Sequence, residues 1–279
     1  MMIYTNGRWV PADEAVVPFY DQGFLYGDSL FETIRVNHSK PFRIDKHLER
    51  MQHGMDIIRL DASEMLSQVP GLVTTFIQKN QIKSALIRVM ITRGVGVGTP
   101  DSHAMGPALY MTSRPLPDIP EGPVKVIFLE EKNYPLLRFS PAIKSGNYLG
   151  NMLAKKDADA AGAFEPVFVN REGLVTECAI RNVFFVRGNT LLTPSVELGV
   201  LPGVIRDTIM ELARKRGMVV KEAFIKRSEA DQMDEAFISS TGVGVLPVVW
   251  DGFQSKHAHS RELRMDLNQT FNSGVLHVS

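Results

Sequence analysis

Apolar and polar residues alternate over Met2-Ile3-Tyr4 and again over Arg8-Trp9-Val10, and the Asn6-Gly7 pair between them suits a tight hairpin turn. A β-hairpin at the start of the chain is therefore expected. After a loop from Asp21 to Asp28, the run Ser29 to Val36 (SLFETIRV) alternates once more and predicts a half-buried strand with Glu32 and Arg35 on opposite faces. Leu48, Met51, Met55 and Ile58 recur at helical spacing, which predicts a helix with Asp45 as its N-cap, and a second helix is expected from Glu64 to Lys79. Ser84 to Thr92 and Ala108 to Thr112 read as strands around a glycine-rich loop from Gly94 to Gly106. Together these elements form a first α/β unit.

The proline-rich stretch Arg114 to Pro123 resists both helix and sheet and marks a boundary. It divides the chain into an N-terminal α/β domain (residues 1–114), a linker (115–123) and a C-terminal domain (124–279). Beyond it, Val124 to Glu130 reads as a strand and Gly146 to Ala161 as a helix. Pro166 to Leu192 reads as short strands broken at Asn170 to Gly173 and at Gly188-Asn189. Leu201-Pro202-Gly203-Val204-Ile205-Arg206-Asp207 opens a helix running to about Arg216 and ended by Gly217, and strands from Ala236 to Ser239 and Val243 to Val249 flank Ser240-Thr241-Gly242. The fold class this implies is α/β (α+β) in two domains.

Composition narrows the chemistry. In 279 residues, 31 Lys and Arg balance 31 Asp and Glu, so no net field favours nucleic acid or a membrane surface. The lone Cys178 excludes an intrachain disulfide, and the N-terminus lacks the basic start and apolar run of a secretory signal, so a soluble, cytoplasmic protein is expected. His47, His53, His103, His257 and His259 lack metal spacing, and no metal is expected. No Gly-x-Ser-x-Gly nucleophile motif occurs, and Cys178 within an apparent strand reads as a buried structural thiol. Gly94-Val95-Gly96-Val97-Gly98 lacks a dinucleotide fingerprint and reads as a mobile loop near a site. The helix start at Gly203 presents N–H groups suited to an anion, although such starts are commonly structural. His47 and Arg50 lie three apart on one helix side, for which surface ion pairing is the ordinary reading.

Taken in order, the segments Phe24-Leu25-Tyr26-Gly27-Asp28, Phe31-Glu32-Thr33-Ile34-Arg35, His47-Leu48-Glu49-Arg50, Lys144-Ser145-Gly146-Asn147-Tyr148-Leu149, Thr176-Glu177 with Asn182-Val183-Phe184, and Leu201 to Asp207 resemble the fold-type IV pyridoxal-5′-phosphate (PLP) family. That family contains branched-chain aminotransferases, D-amino acid aminotransferases and aminodeoxychorismate lyases. The resemblance implies a smaller N-terminal α/β sandwich and a larger C-terminal pseudo-barrel with flanking helices, PLP between them, and a homodimer. It implies that Lys144 forms a Schiff base with PLP and then moves a proton, which requires a neutral amine. Glu177 would face the pyridine nitrogen and Tyr148 the phenolic oxygen. Arg50, the N–H groups of Val204 and Ile205 after Gly203, and Thr241 would hold the phosphate, with Asn182 also at the cofactor. Tyr26, Phe31, Thr33, Arg35, Arg88, Gly242 and Val243 would contact substrate.

The substrate markers diverge. Gly146-Asn147-Tyr148, Leu86-Ile87-Arg88 and Gly96-Val97-Gly98 resemble branched-chain aminotransferases, although Leu86 stands where an aromatic residue is expected. Thr33 and Gly244 resemble aminodeoxychorismate lyases, where the threonine hydroxyl relays a proton during elimination. The loop Val95 to Thr99 lacks the arginine and histidine of D-amino acid aminotransferases, which ranks that activity third. The reading is amino transfer between an amino acid, branched-chain or otherwise apolar, and a 2-oxo acid, with aminodeoxychorismate lyase as the alternative.

Overall fold

Asn6 and Gly7 both take positive φ (42° and 90°), so their turn matches the strand twist and closes β1 (Met2–Thr5) onto β2 (Arg8–Pro11). The computed structural model describes residues 1–97, 105–274 and 276, and the sequence features at Gly98 and His103 lie outside them. The chain divides into two compact units, Met1–Leu116 with Ile143–Asn147, and Pro117–Ala142 with Tyr148–Ser279.

In unit 1 the expected loop after Asp21 contains a short helix, α1 (Gln22–Tyr26). Asp21 caps it by accepting the Gly23 and Phe24 N–H groups at 2.8 and 3.3 Å. Five residues are too few to display helical periodicity, so the pattern could not announce it. β3 (Ser29–Asn37) pairs with β4 (Lys40–Pro41) and leads to α2 (Ile44–Ile57) and α3 (Ser63–Lys79), followed by β5 (Ala85–Thr92) and β6 (Ala108–Arg114). The six strands are ordered β2-β1-β6-β5-β3-β4.

Leu30, Ile34 and Val36 of β3 share one sheet face with Ile87, Val89 and Ile91 of β5, and this face packs on Met51 and Met55 of α2 and on Val69, Val73 and Phe76 of α3. Two details correct the sequence reading. Asp45 is not the N-cap of α2, because Arg43 turns the chain in the left-handed region (φ 46°) and places Asp45 in the first turn, favourable to the helix dipole. β3 is buried on nearly all positions rather than half-buried, with only Thr33 and Asn37 partly exposed.

The segment Ile143–Asn147, whose last two residues the sequence reading placed in a helix from Gly146, is not helical and belongs to unit 1. The Phe31 N–H donates to the Lys144 carbonyl (3.0 Å) and the Gly146 N–H to the Ser29 carbonyl (2.9 Å), so this backbone is committed to β3. A Cβ on Gly146 would lie 2.2 Å from Ser29 Oγ, which is why glycine suits this approach.

Unit 2 contains β7 (Val124–Glu130), α4 (Leu149–Ala160), β8 (Glu165–Val169), β9 (Val175–Cys178), β10 (Asn182–Arg187), β11 (Thr190–Pro194), α5 (Val204–Lys215), β12 (Val219–Ala223), α6 (Arg227–Ala230), β13 (Glu235–Ser240), β14 (Gly244–Val249) and α7 (Ala258–Ser273). Helix α4 thus begins at Leu149 rather than Gly146. The eight strands are ordered β12-β11-β10-β13-β14-β7-β8-β9 and curl into a half-barrel. The parallel pairs β7–β8 and β11–β12 are bridged by α4 and α5, the crossovers that parallel pairing demands.

Val183, Phe185, Ala236, Ile238, Leu246 and Val248 fill one face of this sheet, while Phe184 and Phe237 stack on the other with ring centroids 4.8 Å apart. Both faces are buried, hence the continuous apolar run in β10. Helix α7 carried no start signal because its cap comes from far away in sequence. The Glu235 carboxylate accepts the His259 and Ser260 N–H groups at 2.9 and 3.0 Å. Among the described residues, no helix is long and apolar enough to cross a membrane.

Candidate active site

The same alternation that sends Leu30, Ile34 and Val36 into the core sends Phe31, Thr33 and Arg35 to the opposite face of unit 1. Register sets Thr33 across from Arg88 and Phe31 across from Met90, so Arg88 lies on this second face too. The Arg88 guanidinium stacks 3.8 Å from the centroid of the buried Phe31 ring, and Lys144 Nζ lies 4.5 Å from the same centroid. Four expected substrate residues and the expected cofactor lysine therefore gather on one sheet face. Tyr26 is exposed on α1.

Glu32 points the other way, toward α2, and it is not on the surface. Arg50 Nε and Nη2 donate to its two oxygens at 2.8 and 2.6 Å, and His47 Nδ1 approaches Oε2 at 2.6 Å. Burial would raise the Glu32 carboxyl, yet Arg50 and His47 outweigh it and lower it to about 2. Burial pushes the His47 imidazole down despite Glu32, so it is neutral near pH 7. An ionised carboxylate cannot donate, so Nδ1 carries the proton and Nε2 is a buried acceptor without a partner. The surface ion pair expected of His47 and Arg50 is thus a buried network around a glutamate that sequence reasoning passed over. Strand alternation combined with the i, i+3 spacing of His47 and Arg50 is the signal that pointed to it.

In unit 2, Glu177 on β9 pairs with Arg138, and its second oxygen accepts the Leu201 N–H at 3.2 Å. Arg138 also reaches Glu131 at 2.5 Å. Burial lowers the Arg138 guanidinium, but Glu177 and Glu131 more than compensate and keep it charged. No sequence pattern flagged Arg138, because it lies in a stretch without periodicity.

Asn182 Nδ2 donates to the Leu201 carbonyl at 2.9 Å and pins the turn that opens α5. Gly203 is the N-cap of α5 and supplies no side-chain cap for the first-turn N–H groups. A Cβ on Gly203 would lie 2.1 Å from Asn182 Oδ1, so any other residue would force the turn apart. Tyr148 is the N-cap residue of α4, while Thr241 and Gly242, with the buried Val243, form the turn between β13 and β14.

The two units carry different donor groups. Unit 1 offers a primary amine and a guanidinium, and unit 2 offers a carboxylate, a phenol and an uncapped helix start matched to an anion. Cys178 is buried, and burial pushes its thiol well above the usual range, leaving it inert. Among the described residues, no group of three or more His, Cys, Asp or Glu could hold a metal ion.

The family profile described as amino-transferase class IV matches residues 29–249. The chain is 32% identical over 250 residues to a putative branched-chain-amino-acid aminotransferase of Methanocaldococcus jannaschii, covering 89% of this chain and 87% of that protein. It is 30% identical over 254 residues to the aminodeoxychorismate lyase of Bacillus subtilis (88% and 85% covered), and 30% identical over 281 residues to a D-alanine aminotransferase of Listeria monocytogenes (97% and 95%). The solved branched-chain amino acid aminotransferase of Escherichia coli superposes with a TM-score of 0.87 at 27% identity, covering 97% of this chain and 94% of that one.

Proposed function

This chain belongs to the class IV aminotransferase family, and from that premise we propose that it transfers an amino group between an amino acid and a 2-oxo acid with PLP as cofactor. The family is PLP-dependent and includes both aminotransferases and lyases. The observation that carries the reading is the Phe31 face of unit 1, where Lys144 Nζ and the Arg88 guanidinium meet one aromatic ring at 4.5 and 3.8 Å. An amine beside a cation suited to a carboxylate is what an amino acid substrate requires.

PLP, when bound, supplies an electron sink for negative charge at the substrate Cα. Lys144 would hold the cofactor and move a proton at the substrate Cα. Glu177, oriented by Arg138 and the Leu201 N–H, would hold a proton at the pyridine nitrogen. Tyr148 donates to the phenolic oxygen. Arg50, Thr241 and the N–H groups of Val204 and Ile205 bind the phosphate, with Asn182 and Gly203 shaping that turn. Phe31, Thr33, Arg35, Arg88 and Tyr26, together with Gly242 and Val243, contact the substrate.

A second reading rests on the partly exposed Thr33, which lies on the same face opposite Arg88, and on Gly244, both shared with the lyase pattern. Mixing the enzyme with a panel of amino acids and following conversion to the pyridoxamine-phosphate form decides between the two. Transfer predicts conversion with at least one amino acid. If aminodeoxychorismate yields pyruvate and 4-aminobenzoate while no amino acid converts the cofactor, the enzyme is a lyase. Val16, Phe19 and Phe24 are exposed apolar side chains in unit 1, which supports assembly as a homodimer. Light scattering at the mass of one chain would refute that assembly.

A further inference from the structure

Glu32 occupies a position where its strand neighbours on the same face, Leu30, Ile34 and Val36, are all core. Its side chain is 1% exposed, and a carboxylate there is costly unless paired. Replacing such a network by apolar residues of similar volume is often neutral or stabilising, so stability by itself does not account for a buried charge at this place. Its geometry offers another account. The carboxylate takes the Nε–Nη2 edge of Arg50 in a two-point contact, which fixes both the position and the plane of the guanidinium.

His47, three residues earlier on α2 and fully buried, holds the same carboxylate through Nδ1. A strand and a helix thus lock one guanidinium through a glutamate that is itself held on two sides. A long arginine side chain otherwise loses rotamer freedom each time it meets an anion.

We propose that Glu32, buttressed by His47, is the positioning residue of the anion site: it orients Arg50 before a phosphate arrives and thereby sets the enzyme's selectivity for the phosphorylated cofactor. This rests on the reading that Arg50 meets the PLP phosphate. Glu32 itself touches neither cofactor nor substrate, and its effect travels through the guanidinium. Because Glu32 also offsets the Arg50 charge, the site gains directed N–H donors rather than a bare positive field, which favours recognition by geometry.

The test compares the dissociation constants of the full-length protein for PLP and for pyridoxal, which lacks the phosphate, measured by absorbance in wild type, Glu32→Gln and Arg50→Ala. Glu32→Gln keeps the shape but presents an amide N–H₂ toward the guanidinium. It is expected to reduce the preference for PLP over pyridoxal about tenfold, the size of one oriented charge-assisted contact. Thermal shift by inorganic phosphate on the cofactor-free protein is expected to shrink in parallel. Equal weakening for both ligands would make Glu32 structural and overturn the proposal. An unchanged preference in Glu32→Gln alongside a lost preference in Arg50→Ala would also overturn it while leaving the phosphate role of Arg50 intact. An unchanged preference in Arg50→Ala would remove the underlying reading. Should Glu32→Gln not fold, Glu32→Asp, which keeps the charge but withdraws it by one methylene, is judged by the same ratio.

Discussion

Each unit holds a carboxylate against an arginine, yet the two pairs are built in opposite senses. In unit 1 the glutamate is the buried support and the arginine faces the proposed chemistry, with side chains 1% and 10% exposed for Glu32 and Arg50. In unit 2 the arginine is the support, bridging Glu131 and Glu177, and the glutamate is the group proposed to face the pyridine nitrogen. Identical chemical partners therefore serve different ends. The added anchors differ in kind: His47 also holds Glu32, Glu131 also holds Arg138, and the Leu201 N–H holds the second oxygen of Glu177. A charged group held from more than one side keeps a fixed pose, the condition for acting on charge without reorganisation.

The comparison assumes that both pairs serve one covalently held cofactor, and the largest expected effect tests that assumption. Lys144→Ala is expected to abolish turnover and the absorbance of lysine-bound cofactor, because no other amine is proposed for the linkage. A borohydride-reducible adduct surviving in that variant would break the comparison at its root.

Next in size is the acid dependence of the unit 1 pair. The folded pKa of Glu32, about 2, lies below its ordinary value of 4.5, so its stabilisation is present above pH 4.5 and is lost as pH falls from there toward 2. The shift corresponds to about 3 kcal/mol at pH 7 for a fully buried carboxylate. The stability gap between wild type and Glu32→Gln, from urea unfolding at a series of pH values, is expected to narrow across that window. A gap constant from pH 7 to pH 3 would mean that Glu32 is not the ionised centre of its network.

In unit 2, Arg138→Ala leaves two carboxylates facing each other without their shared cation. The expected cost is about 2 kcal/mol, less than the roughly 3–5 kcal/mol of a fully buried pair, because solvent reaches part of the guanidinium. Turnover is expected to fall further than stability alone explains, with kcat dropping more than KM rises, since Glu177 loses its orientation. Equal effects on kcat and on the folded fraction would reduce Arg138 to a structural role. The smallest effect is the control: Lys46→Ala removes the exposed Lys46–Glu49 pair at 2.8 Å and is expected to leave Tm unchanged within measurement. A clear drop there would show that exposure does not separate the pairs as described.

Alternation in Ser29 to Val36 determined that Glu32 and Arg35 face apart, and helical spacing determined that His47 and Arg50 share a side. The hairpin at Asn6-Gly7, β7 and the body of α3 followed from local pattern for the same reason: the signal lies within a few residues of the element it specifies. Ordered motifs likewise brought the family to attention, and the family match over residues 29–249 bears that family out.

Other features had no local signal. Lys144 belongs to unit 1 because its backbone pairs with Phe31 more than a hundred residues away, a contact that no local pattern announces. The burial of His47, the Arg138 clamp on Glu177 and the Glu235 cap on α7 depend on groups 15, 39 and 25 residues apart in sequence. A sequence states which groups exist and which way each strand or helix turns them. Only tertiary packing decides which of those groups lose water together, and the loss of water turned a glutamate, a histidine and an arginine of ordinary appearance into a single oriented device.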